Sequence, residues 1–215
     1  MTHRYSESER AAIYRVIAER RDMRHFCATA IPEATLQRIL QAAHQAPSVG
    51  LMQPWRFIRI SDSALREKIY QLVAAERQLT AAALGERDAE FMRLKVEGVR
   101  ECAELFAAVL APDDGTIFGR RTLPEMDLAS VACAIQNLWL AARAEGLGMG
   151  WVSLFDPCAL ADLLHVPAGG KPIALLCLGQ VEAFYAAPML QLEGWRSAQP
   201  LENLLFENHW HERAA

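Results

Sequence analysis

The 215-residue chain has no apolar run approaching the ~20 residues that a membrane helix needs. Its most apolar stretch, Val131 to Ala142, is broken by Gln136 and Asn137. The opening MTHRYSESER has no apolar centre of the kind found in a secretory signal. Basic excess is missing as well. Lys and Arg number 22 against 26 Asp and Glu, a net charge of −4, which argues against general nucleic-acid binding. The five cysteines (Cys27, Cys102, Cys133, Cys158, Cys177) are odd in number, widely spaced and without a CxxC pair. Neither a disulfide framework nor a zinc site is expected, and a reducing cytoplasmic setting suits them. The histidines show no ligand spacing, and His209 and His211 read as solvated tail residues, so no metal is expected. Repeats, low-complexity tracts and Ser/Gly linkers are also lacking. One domain over residues 1–215 is the expectation.

What is present is an ordinary globular balance, 52% hydrophobic and 22% charged, with length enough for a sizeable core. Ser6 with Glu9 makes a capping box, and Ile13, Val16, Ile17 and Arg20 follow at helical spacing up to Arg20-Arg21. A second helix opens near Pro32, carries Leu36, Ile39, Leu40 and Ala43 on one face, and ends by Pro47. Trp55 to Ile60 reads as a strand. Residues 63 to about 110, rich in Ala, Glu and Arg, read as two or three helical pieces around Gly85 and Gly98. Pro112 to Gly115 is a turn signal. Asp127 to Glu145 is predicted as a long buried helix stopped by Gly146. A strand from Met149 to Leu154, a short helix from Asp156-Pro157 to Leu164, and a core strand from Pro172 to Val181 follow. The tail from residue 187 to 215 carries Leu201, Leu204, Leu205 and Phe206, which are expected to pack as an arm on a partner subunit. Helices outnumber strands and do not alternate with them, so α+β is expected rather than a doubly wound fold.

Three clusters carry chemistry. Arg20-Arg21-Asp22-Met23-Arg24 places three guanidinium groups where they can fork onto one phosphate, or serve as the solvated basic end of a helix. Asp22 among them is unhelpful to phosphate binding and points to a separate task. The loop from Ala46 to Trp55 is shaped by two prolines and a glycine. Its Ser48, Gln53 and Trp55 can cradle a planar heterocycle with polar edges, or the loop is a bare turn. The run Gly146-Leu147-Gly148-Met149-Gly150-Trp151-Val152-Ser153 superficially suggests a dinucleotide fingerprint. That motif needs a strand before its glycines and a helix after them, and here the order is reversed. The glycines read instead as a helix end and a close backbone approach to a ligand, with Ser153 on the following strand.

In this order and at these separations, the three clusters resemble the FMN-binding nitroreductase family over nearly the whole chain. Asp22 stands where generic members carry Ser in Arg-Arg-Ser-x-Arg, and Leu51 stands where they carry Asn in the Pro-Ser loop. These departures, with the Gly150 to Pro157 run, match the flavin-fragmenting branch of the family. The resemblance implies a mainly antiparallel mixed sheet flanked by helices, in a homodimer with FMN at the subunit interface. It implies O2-dependent breakdown of reduced FMN, consumed as substrate; the electron source is left open, an NAD(P)H-dependent flavin reductase being one candidate partner. Flavin contacts carried over by motif are Arg20, Arg21, Asp22, Met23, Arg24, Ser48, Gln53, Leu94, Gly150 and Ser153. Asp22 and Ser153 are expected to do the chemistry. The helical stretch at about 81–110, with Phe91, Met92, Leu94 and Lys95, is expected as a lid or as a surface hairpin. An FMN-returning, NAD(P)H-dependent reductase and a non-catalytic flavin binder are the competing readings.

Overall fold

In the computed structural model, which describes residues 3–210, the sheet order is β1 (Trp55–Arg59), β2 (Glu104–Leu110), β4 (Lys171–Gly179) and β3 (Gly148–Val152). Every neighbouring pair in it is antiparallel. A single parallel bridge, Asp22 to Met149, adds the Arg-rich segment to the β3 edge. The central strands β2 (ELFAAVL) and β4 (KPIALLCLG) are apolar on both faces because both faces are covered.

On one face lie α2 (Glu33–His44) and α5 (Met126–Ala144), packing Leu36, Ile39, Val131, Ile135 and Leu138 against Phe106 and Leu176. On the other lie α3 (Ser63–Ala83) and α6 (Pro157–Leu163), which bury Ile69, Val73 and Leu160 against Leu105 and Leu175. Each such side chain contributes about 1.5–3 kcal/mol of burial, so the sheet is clamped from both sides. Helix starts are chemically marked. Ser6 and Glu9 form the reciprocal capping box of α1 (Glu7–Glu19). Asp62 accepts from Ala64 and Leu65 N–H at the start of α3, and Asp156 accepts from Ala159 ahead of Pro157 at the start of α6.

One expectation needs correction. The helical reading to about residue 110 fails at β2, whose seven residues form a central strand. A short apolar run carries no period that distinguishes a buried strand from a buried helix. Helical structure in this stretch ends with α3 and the short α4 (Asp88–Arg93), so a lid cannot extend into residues 104–110. The α1 stripe does not enter the core. Ile13 and Ile17 are each half exposed, because α1 touches the body near its C-terminal end, through Glu19 to Arg143 and Arg20 over Trp139. In the tail, α7 (Met189–Leu192) lies over the body, while Leu201, Leu204 and Leu205 are exposed. His211 and the rest of 211–215 lie outside the described residues. Among the described residues, no helix is long and apolar enough to cross a membrane, and no group of three His, Cys, Asp or Glu could hold a metal ion.

Candidate active site

The Arg-rich segment is where the site begins, and glycines are what let it lie there. A Cβ on Gly150 would sit 2.3 Å from the Met23 carbonyl oxygen and 2.7 Å from Arg24 Nη1; one on Gly148 would meet Met23 Cγ at 3.0 Å. The glycine run therefore admits the protein's own segment against β3. A side chain at Gly150 would push into Met23 and Arg24 and displace the segment. Met23 N–H donates to the Met149 carbonyl at 2.9 Å, and the Met23 side chain is fully buried.

Asp22 is held from two directions. Its Oδ1 accepts from Trp151 N–H at 2.9 Å, and its Oδ2 accepts from Arg24 Nη2 at 2.6 Å. About 41% of its side-chain surface faces open space at the pocket, yet protein surrounds it. Burial raises its pKa above the ordinary carboxylate value; Arg24, the Trp151 N–H and Arg20 offset part of that rise. The same Arg24 Nη2 also donates to the Trp151 carbonyl at 2.9 Å. Arg24 Nε and Nη1 are buried with no hydrogen-bond partner among the described residues. Such orphaned donors are costly unless a ligand meets them.

The three arginines divide their tasks. Arg21 donates to four backbone carbonyls, those of Ala18, Arg20, Tyr185 and Ala186, at 2.8–3.2 Å. It is a brace for the segment. Arg20 lays its guanidinium 4.4 Å over the Trp139 ring. Tyr185 adds a further tie, its hydroxyl accepting from Arg24 N–H at 3.3 Å and pairing with His25 Nδ1 at 2.7 Å.

Arg20, Arg21, Asp22 and Arg24 line one end of a cavity of about 340 Å³, within the usual range of small-molecule pockets. Ser153, just past β3, stands on its exposed rim, and Leu94 lines an apolar wall with Phe91 and Val96. Pro188, Met189, Leu190 and Trp195 also line the cavity, which sequence reasoning missed. The signal was available: Pro188 precedes a short apolar run, and Gly194 with φ +72° follows it.

Ser48 and Gln53 are not in this cavity. They belong to a separate rigid loop, where Ser48 Oγ accepts from Gln53 N–H at 3.1 Å and Val49 N–H donates to Ser130 Oγ at 3.1 Å. Gly50, Leu51 and Gln53 all have φ near +50°, a conformation that non-glycine residues adopt at a cost. Gly50 and Gly119 let this loop meet Phe118 and Val49 closely.

Residues 17–180 match the nitroreductase family. The chain is 45% identical over 188 residues to a 5,6-dimethylbenzimidazole synthase of Rhodospirillum rubrum, covering 84% of this chain and 87% of that protein. It is 38% identical over 202 residues to the protein of the same name from Rhodobacter capsulatus, covering 92% and 97%. Among solved structures it is similar to a BluB-like flavoprotein from Clostridium difficile 630, with TM-score 0.71 at 18% identity over 92% of this chain and 99% of the other.

Proposed function

The chain belongs to the nitroreductase family, and from that premise we propose that it carries out the 5,6-dimethylbenzimidazole synthase reaction. That reaction is the O2-dependent fragmentation of reduced FMN to dimethylbenzimidazole and erythrose 4-phosphate. When bound, the reduced flavin supplies both the electrons for O2 and the carbon skeleton of the product. The observation that carries the reading is Asp22: a carboxylate of raised pKa, held by Trp151 N–H and Arg24 at the floor of an apolar pocket.

The residues present fit FMN. The unpartnered Arg24 Nε and Nη1, with Arg20 beside them, suit its anionic and polar parts, and Phe91, Leu94, Val96 and Trp195 suit an aromatic ring system. Arg21 acts by bracing this end. Asp22 holds or moves a proton during cleavage, the Ser153 hydroxyl orients a polar group at the rim, and α4 keeps bulk water away. Ser48 and Gln53 reach a flavin only from a second copy, which makes the functional unit a homodimer with shared sites.

Anaerobic reduction of FMN with the protein, followed by air, tests the reading. Benzimidazole with loss of FMN supports it. NAD(P)H turnover with FMN returned intact supports a nitroreductase or flavin reductase instead, and neither outcome leaves a flavin binder.

A further inference from the structure

The wall formed by the tail has a construction of its own. After α7 the chain closes in a Schellman turn: Trp195 N–H donates to the Leu190 carbonyl at 2.9 Å and Gly194 N–H to the Gln191 carbonyl at 3.2 Å. Gly194 at φ +72° makes the turn possible, and the turn sets Leu190 and Trp195 on the same side, both lining the cavity. The Trp195 ring meets Phe91 of α4 with centroids 6.2 Å apart. Arg87 then stacks 3.5 Å over the Trp195 ring and donates to the Trp195 carbonyl at 3.3 Å. Glu90 accepts from Arg87 at 2.8 Å and 3.2 Å, which aims the guanidinium. From below, Arg77 of α3 fixes the far end of α4 by donating to the Met92 and Leu94 carbonyls at 2.6 Å and 2.9 Å.

We propose that Trp195 is the enclosing residue of this pocket: Pro188–Trp195 and α4 are two halves of one cover, joined through Arg87 and Phe91. The two halves differ in how they are tied. α4 is anchored by a mostly buried arginine to α3, whereas the tail half, tied at its start by the Arg21 bonds to the Tyr185 and Ala186 carbonyls, is held at its far end by apolar packing of Trp195 on Phe91 and its neighbours and by an Arg87 that is nearly half exposed. The Trp195 side is therefore the half that swings away to admit flavin and release product. This inference rests on the proposed reaction, because a cover has a further consequence there. With the pocket open, turnover diverts to simple oxidation, in which O2 takes two electrons and two protons from the reduced flavin and leaves oxidised FMN and hydrogen peroxide.

Stopped-flow measurement of FMN dissociation, read by flavin fluorescence, tests the assignment without reference to turnover. Trp195→Ala should release FMN about tenfold faster, the size of a well-packed aromatic contact, and raise peroxide at the expense of benzimidazole. Trp195→Phe keeps an aromatic plate and should stay within about threefold of the parent. Arg87→Gln, a surface change, should release FMN about two- to fivefold faster, as expected for an exposed cation–π contact. Release from Trp195→Ala within about twofold of wild type overturns the proposal, as does a Trp195→Phe variant as leaky as Trp195→Ala. A wild-type protein that makes no benzimidazole, combined with fast FMN release from Trp195→Ala, supports the cover and overturns the reaction.

Discussion

The Arg20–Arg24 segment and the Pro47–Trp55 loop are both assigned to one flavin by resemblance, yet their settings in the chain are opposite. The first is stitched to β3 by Met23 N–H and by Asp22, and it turns its polar groups into the chain's own cavity. The second is equally rigid, but it is braced against α5 and the Phe118 loop and presents Leu51 and Phe118 outward, both more than 70% exposed. One chain thus carries the proposed proton-transfer end of a site and, away from that cavity, a preformed loop. Rigid, strained loops persist where their shape is used. The proposed homodimer would bring such a loop to the cavity of a second copy.

The sharpest way to break this contrast is at Asp22. Asp22→Asn should cut benzimidazole formation by ~10²–10⁴-fold, since the amide keeps the size and cannot accept the proton. FMN affinity should stay within a few-fold. In the wild type, product formation should fall as pH drops through the raised pKa of Asp22, because the base is lost on protonation, and the Asn variant should lack that acid limb. Ser153→Ala should follow in the same direction with a smaller loss. A normal yield from Asp22→Asn would reduce the carboxylate to a partner of Arg24.

Arg24→Ala should weaken FMN by at least about tenfold, as a buried charge-assisted contact contributes ~1.5–3 kcal/mol. Riboflavin, without a phosphate, should lose much less in the same titration. Equal losses would show that Arg24 only supports Asp22.

Mixed dimers test the division between the two regions directly. Gln53→Asn tolerates the left-handed backbone while withdrawing the amide by one carbon. Co-assembled with Asp22→Asn chains, half the dimers should contain one unaltered site, restoring roughly a quarter of wild-type activity. No recovery would mean that the loop serves its own chain or none. The smallest effect concerns the seat of the segment. Gly150→Ala forces a methyl onto the Met23 carbonyl and should cost about 1–3 kcal/mol, seen as a lower melting temperature.

Much of this was legible in the sequence because the signals are local. The Ser6–Glu9 box, Pro157 at a helix start and the apolar run of β4 each follow from neighbouring residues. The Arg segment and glycine run were recognisable, although the close approach of Met23 and Arg24 to those glycines was not. β2 was hidden because ELFAAVL, buried on both faces, has no alternation to show. The tail wall was hidden because Trp195 gains its role from Arg87 and Phe91, about a hundred residues earlier. The exposed Ile13 and Ile17 have helical spacing, and spacing does not say which body covers a stripe.

The most direct test is a mass balance in a single aerobic turnover of reduced FMN, with flavin and benzimidazole both quantified by chromatography. The account predicts one benzimidazole gained for each FMN lost, with the yield collapsing in Asp22→Asn. Recovery of all the flavin as oxidised FMN, with only hydrogen peroxide formed by the wild type, would contradict it.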